Sequence, residues 1–284
     1  MKSSASREFA DQIVVVTGAA SGIGRATALA FARGGARLFV SDLPSADWQG
    51  FTAELLAAGA RSVHEAAVDV GSREQMASYC ELVCQTGTPD VLVNNAGVGL
   101  AGGSLATSLE DWQWILNVNL WGVIHGCHYF APQMAARGRG QIINIASAAG
   151  YYNSEAMTAY GTTKSAVIGL SEGLRSELAP LGVGVSVVCP GFVNTPIVAN
   201  MRMRGAAYPE SERGNVMRFY EKRNYQPERV ASAVLGAVRR NPALLPVTPE
   251  AWALYAMKRI APDLGRRLIE AVQRWGERRG NSKP

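Results

Sequence analysis

The 284-residue sequence contains no run of about 18 uncharged apolar residues, so it offers no helix long and apolar enough to span a bilayer. Its first twelve residues mix Lys2, Arg7, Glu8 and Asp11 with serines and hold no apolar stretch, which argues against a secretory leader or anchor there. Cysteine is scarce. Cys80, Cys84, Cys127 and Cys189 fall in or beside apolar periodic segments, as buried free thiols of a reducing compartment do, and a cytoplasmic protein is expected. No linker divides the chain, so one domain over 1–284 is expected, with a core at 10–248 and an extension at 249–284. The body also lacks an excess of charge. Of the net +5, four positive charges come from 250–284, where eight basic residues face four acidic ones. A nearly neutral body excludes a nucleic-acid groove in it. His125-Gly126-Cys127-His128 has metal-site residue types but no carboxylate or further His to complete a site, so no metal is expected. Cys80 and Cys84, at helical spacing, read as core residues rather than a redox pair.

What is present is alternation. Ile13 to Thr17 is an apolar run ending in glycines, Gly22 to Arg33 has helical periodicity, and Arg37 to Val40 is apolar again before Ser41 and Asp42. Strand, glycine turn, helix and strand open a dinucleotide-binding βαβ unit. The alternation predicts a helix at about 46–58, a strand near Ser62 to Val68, a helix at about 72–86 and a strand at Val91 to Asn94. A long helix from Leu109 to about Ala136 follows, with Thr107-Ser108-Leu109-Glu110 as a capping box. Then come a strand at Gln141 to Ala146, a helix to about Leu181, a strand at Val183 to Val188, a helix from Pro227 to about Arg240 and a short strand at Ala243 to Val247. Continuous apolar strands separated by helices predict a doubly wound α/β fold of about seven parallel strands, with ligands at their carboxyl ends. Between Asn194 and Gln226 the pattern breaks without a clear period, so 192–226 reads as a mobile lid or as a disordered surface loop.

Tyr160 and Lys164 are four residues apart and share a helix face. A phenol is a useful base near neutral pH only if a neighbour such as a cation stabilises its anion, so the pair suggests proton exchange with an alcohol or carbonyl oxygen. Ser147 ends a strand 13 residues earlier. Gly18, Ser21, Gly22, Ile23 and Gly24 join the first strand to the first helix with G-x-x-x-G-x-G spacing, where backbone N–H groups suit a pyrophosphate. Asp42 ends the second strand 24 residues after Gly18, beside Leu43 and Pro44 rather than a cation. Its carboxylate suits a ribose 2'-OH and repels a 2'-phosphate, favouring NAD over NADP. Asn117 and Asn119 are poor helix formers inside a helix and call for a reason, bending of the helix being the plain one.

These motifs resemble the short-chain dehydrogenase/reductase family, and the match runs in order from residue 13 to about 240. The resemblance implies that Asp69 and Val70 meet adenine, and that Asn95, Ala96 and Gly97 belong to the Asn-Asn-Ala-Gly turn. It implies that Pro190, Gly191, Val193 and Thr195 lie at the nicotinamide. It assigns Tyr160 as acid/base, Ser147 to the substrate oxygen, Lys164 to the Tyr pKa and the nicotinamide ribose, and Asn119 to a proton relay. Ser21 sits where NADP-preferring relatives place a basic residue, again favouring NAD. The wall Val98, Tyr152, Phe192, Val193, Ile197 and Met201 to Met203 carries little fixed charge, which predicts a lipophilic secondary alcohol or ketone of steroid, terpenoid, aryl or fatty type. Tyr151 and Tyr152 line that wall or pack in an interface, and Arg202 and Arg204 are placed to meet an acidic group. The alternatives are an NADPH-dependent ketone reductase and, in another class, a non-catalytic NAD-binding sensor or scaffold.

The extension departs from short family members, which end soon after a final strand. Trp252, Tyr255, Ile260, Leu264, Leu268, Val272 and Trp275 recur among basic residues as one or two amphipathic helices split near Pro262. They pack on the core or a sister subunit, or make a peripheral contact with an anionic membrane. A homodimer is expected, with a tetramer as the alternative.

Overall fold

The computed structural model describes residues 8–205 and 208–268. Expectations resting on residues 1–7, and on Val272, Trp275 and the other extension residues beyond 268, lie outside the described residues.

The chain begins β1 (Ile13–Thr17), α1 (Gly22–Arg33), β2 (Arg37–Asp42), α2 (Phe51–Ala58), β3 (Ser62–Ala67), α3 (Arg73–Thr86) and β4 (Val91–Asn94). After a two-residue strand β5 (Leu100–Ala101) come α4 (Leu109–Leu116), α5 (Gly122–Arg137), β6 (Gly140–Ile145), α6 (Thr158–Leu178) and β7 (Val183–Cys189). The last part contains α7 (Ile197–Asn200), β8 (Arg202–Met203), α8 (Arg213–Arg223), α9 (Pro227–Arg240), β9 (Leu244–Pro246) and α10 (Pro249–Ile260).

Seven strands form one sheet in the order β3-β2-β1-β4-β6-β7-β9, every pair parallel. The strand order reverses beside β1, so the carboxyl ends of β1 and β4 open a crevice at the switch point. β1 and β4 are buried along their whole length because helices cover both faces. Phe130, Met134, Val167 and Ile142 fill one face under α5 and α6. Phe31, Val234, Val14 and Ile143 fill the other under α1 and α9. β3, at the edge, is the strand with exposed residues.

Three expectations need correction. The second helix starts at Phe51, not near 46, because Asp47 turns the chain by accepting the Gln49 N–H at 2.9 Å and Gly50 is left-handed at φ 73. The long helix is interrupted, since Asn117–Trp121 forms a π turn between α4 and α5. Its cause is Asn119, whose buried amide accepts from Val98 N at 2.8 Å and donates to Val98 O at 2.9 Å, drawing the helix to the β4 loop. The lid is neither a structureless loop nor without regular elements. β8 pairs with β5, and Arg213 donates to the carbonyls of Val198, Ala199 and Met201, capping the end of α7. Its period is hidden in the sequence because α8 buries no residue of its own, and Val216, Met217 and Tyr220 pack against lid neighbours rather than the main core.

In the extension, Ala251, Leu254 and Tyr255 pack onto the α5–α6 core, with Tyr255 against Tyr151 at 5.5 Å between ring centroids. Trp252, Ile260, Leu264 and Leu268 stay exposed. Helix breaks at Ala261 and resumes over 262–268, as the proline suggested.

Candidate active site

A cleft of about 1340 Å³ runs along the carboxyl ends of the strands. That exceeds the several hundred Å³ of a pocket for one small molecule, leaving room for a dinucleotide and a second ligand. At one end lie Gly18, Ser21, Gly22, Ile23, Asp42, Leu43, Asp69 and Val70; Asn95, Ala96 and Gly97 follow. Ser147, Tyr160, Lys164, Pro190, Gly191, Phe192, Val193 and Thr195 lie at the other end, with Val98, Tyr152, Ile197 and Met201 as wall.

The phosphate turn is held from behind. The Thr17 hydroxyl accepts the N–H groups of Asn95 and Ala96, both at 3.1 Å, and the Asn95 amide donates to Thr17 O and Gly18 O at 2.9 and 3.0 Å. Gly24 is off the cleft wall: a Cβ there would stand 2.0 Å from Gly18 O, so only glycine lets α1 approach the turn. Ser21 caps α1 without a side-chain hydrogen bond, and no acidic residue lies in the first turn. That helix end therefore retains unsatisfied N–H groups and positive potential, which fit a pyrophosphate. Asp42 accepts Leu43 N at 2.8 Å on one oxygen and Ala20 N at 2.9 Å on the other, leaving lone pairs for a ribose hydroxyl. Arg25 is engaged by Glu54 and Arg37 by Asp11. The residues present thus fit a nicotinamide dinucleotide.

Three of the four expected catalytic groups, Ser147, Tyr160 and Lys164, line the far end of the cleft. Tyr160 and Lys164 rise from α6, Ser147 follows β6, and Asn119 stands behind Val98, out of the cleft wall. Lys164 Nζ donates to Ile145 O at 3.0 Å and lies 5.8 Å from the Tyr160 ring centre. The Ser147 hydroxyl accepts Ala149 N at 3.1 Å. Asn119 Oδ1 and Lys164 Nζ face each other across Gly97, at 3.3 and 3.5 Å from where its Cβ would be. Asn119 also donates to Thr163 Oγ1 at 3.3 Å, and that hydroxyl donates to Tyr160 O at 2.7 Å.

Burial dominates the electrostatics. It raises the Tyr160 phenol above its ordinary pKa, with the Ser147 hydroxyl pulling it down and the Cys189 thiol pushing it further up. It lowers Lys164 to about 8, against a small opposing effect of Cys189. Without a ligand, the direction for Tyr160 is opposite to that expected from a neighbouring lysine alone. A depressed lysine and a buried phenol in one cleft make it a candidate functional site.

The wall differs in detail from the sequence expectation. Tyr151 is in the core rather than the cleft, and Met203 is buried in the lid. Arg202 and Arg204 do not face the cleft: both bind the Asp111 carboxylate of α4, and Arg202 stacks over Trp114 at 3.7 Å. Their hydrogen bonds, Arg204 first, hold Asp111 below the usual Asp range despite its burial. Trp114, Tyr220, Glu250 and Leu254 also line the cleft and escape sequence reasoning. His125 bonds the Val70 carbonyl at 2.9 Å beside Trp121.

Residues 12–205 match the short chain dehydrogenase family. "Probable oxidoreductase EphD" of Mycobacterium tuberculosis is 40% identical over 261 residues, covering 90% of this chain but 44% of that relative, so the chain spans less than half its length. "C alpha-dehydrogenase" of a Sphingobium strain is 31% identical over 293 residues, 96% of each chain. The structure of a short chain dehydrogenase/reductase from Burkholderia phymatum in complex with NAD aligns with a TM-score of 0.79 at 32% identity, over 89% of this chain and 93% of its own. The chain belongs to the short chain dehydrogenase family and has its Rossmann-type fold.

Proposed function

We propose that this chain is an NAD-dependent dehydrogenase interconverting a lipophilic secondary alcohol and its ketone. The observation that carries the reading is the meeting of Ser147, Tyr160 and Lys164 at the end of a cleft whose other walls are mainly apolar. NAD, when bound, supplies the hydride acceptor, or the donor in its reduced form. Gly18, Ser21, Gly22 and Ile23 would hold its pyrophosphate, Asp42 and Leu43 its adenosine ribose, Asp69 and Val70 the adenine side. Asn95, Ala96 and Gly97 would flank it, with Pro190, Gly191, Val193 and Thr195 at the nicotinamide.

In oxidation the Ser147 hydroxyl holds the alcohol oxygen while Tyr160 takes its proton, and the carbinol hydrogen leaves with its electron pair. The product is the ketone. Lys164 would hold the nicotinamide ribose and stabilise the phenolate, and Asn119 with Thr163 would keep the lysine side of the cleft ordered for proton exit. Asp42 without a neighbouring cation supports NAD over NADP. The 10–248 core and the extension are read as one unit because Glu250 and Leu254 line the same cleft. A homodimer is the reading for assembly, supported by exposed Leu105, Leu109 and Trp121 beside α4 and α5.

The test is absorbance at 340 nm with NAD or NADP and a panel of cyclic and aryl secondary alcohols, with Tyr160→Phe and Asp42→Ala as controls. Turnover that Tyr160→Phe abolishes is the expected result. Cofactor binding without turnover of any alcohol or ketone would favour the non-catalytic module, and preferred use of NADPH would favour the reductase.

A further inference from the structure

The extension reaches the cleft through one carboxylate. Glu250 lies in the first turn of α10, behind Thr248, whose hydroxyl caps the helix by accepting Ala251 N at 3.3 Å. One Glu250 oxygen accepts the Phe192 N–H at 2.9 Å, and the other pairs with Arg223 at the end of α8. Three segments far apart in sequence therefore converge on a single side chain. The approach is close enough that a Cβ on Gly191 would stand 2.4 Å from both Glu250 Oε1 and Thr248 Oγ1. The Glu250 and Arg223 side chains are 23% and 31% exposed, so water screens the pair less than a fully solvated one. Burial opposes the Glu250 charge, yet hydrogen bonds from its own backbone, Phe192, Thr248 and Arg223 outweigh it and lower its pKa.

What the carboxylate holds matters for the cleft. Tyr220, one turn before Arg223, lines it, and its ring meets that of Phe192 edge-on at 5.6 Å. α8 has no fully buried residue, and its apolar side chains Val216, Met217 and Tyr220 pack on the lid cluster rather than in the main core, so it opens more easily than a core helix unless it is tied down. We propose that Glu250 is a positioning residue: it sets the Gly191–Phe192 turn and, through Arg223, latches α8 so that Phe192 and Tyr220 form the aromatic wall over Tyr160. The substrate half of this proposal rests on the dehydrogenase reading above; the latch itself does not.

Hydrogen exchange on the cofactor-free full chain tests the latch, using Glu250→Gln, Arg223→Met, their double variant and Glu250→Ala. Gln keeps the shape and the acceptor for Phe192 but removes the charge. Each single charge-removing variant is expected to speed exchange over 213–223 by about three- to tenfold, and the double variant no more than either. Glu250→Ala is expected to release the Phe192 amide as well. In turnover assays Glu250→Gln and Arg223→Met are expected to raise KM for the alcohol about three- to tenfold with kcat within about twofold. Unchanged exchange in α8, or additive effects in the double variant, would overturn the latch. Altered exchange with no alcohol oxidised by the parent protein would sustain the latch and remove the dehydrogenase reading.

Discussion

Replacing Lys164 with Met is expected to stabilise the protein while destroying turnover. Lys164 is 4% exposed as a residue, and its ammonium donates to the Ile145 carbonyl at 3.0 Å. Burial lowers its pKa from 10.5 to about 8, with Cys189 opposing slightly. That difference means the folded state carries the charged form at a cost of about 3 kcal/mol relative to the unfolded chain. The sign follows from proton counting: between about pH 8 and 10.5 the unfolded chain holds more protons, so this group's contribution rises with pH in that window. Below it the penalty is complete. Met has a similar length and no charge, and the Ile145 carbonyl it leaves unpaired costs about 1 kcal/mol. The net gain at pH 7 is about 2 kcal/mol, or roughly 5 °C in Tm for a chain of this size. Calorimetry of the cofactor-free proteins at pH 7 and pH 9 provides the assay, with the gap narrowing to about 1 kcal/mol at the higher pH. Comparing the two proteins removes the effect of Cys80 and Cys127, whose thiols burial raises from 9.0 to about 12, so they lose stability as pH rises above 9 in parent and variant alike. Cys189 is raised by burial too, but Lys164 pulls it down, so the Met variant raises it further. A Met variant that melts at or below the parent at pH 7, or a gap unchanged at pH 9, would refute the reasoning.

Asp42→Ala is expected to weaken NAD binding by about tenfold or more, from loss of a charged hydrogen bond, and to narrow discrimination against NADP; fluorescence titration of both cofactors measures it. Gly126→Ala places a Cβ 2.1 Å from Asn94 Oδ1, while the same Asn94 donates to Asn144 at 2.9 Å, so neither side can yield. A loss of about 2–4 kcal/mol in denaturant unfolding is expected, with little change in the KM of surviving protein. Asp111→Asn removes the charge that two lid arginines share, and since those arginines are more than a third exposed the cost is about 1 kcal/mol. Because the Asp111 pKa is depressed in the fold, that contribution is full above the ordinary Asp value near 4 and disappears as pH falls below it. Stability of parent and variant should converge at low pH, which circular dichroism follows.

How much was legible in the sequence depends on how far each group's partner lies along the chain. The seven-stranded sheet was readable because β1, β4 and β7 announce themselves as continuous apolar runs and their helices keep a local period. Tyr160, Lys164 and Ser147 were readable too, since each belongs to a short spacing at a strand end or on one helix face. The π turn was half legible: two asparagines in a helix signalled a reason, but the reason is Val98, 21 residues away from Asn119. Arg204 and Asp111 are 93 residues apart, and Glu250 and Phe192 are 58 apart. No local pattern connects them. Arg202 and Arg204 read as cations placed to meet an acidic group, but their neighbours in sequence do not show that this group is Asp111 of α4. The same applies to energetics. A lysine four residues from a tyrosine suggests a lowered phenol pKa, yet the fold buries both, and burial is the largest cause of each shift, moving the Tyr160 phenol up and Lys164 down. Proximity in sequence can indicate that two groups meet; how deeply they are buried when they meet, and so which protonation state each prefers, is decided by the layers that fold over them.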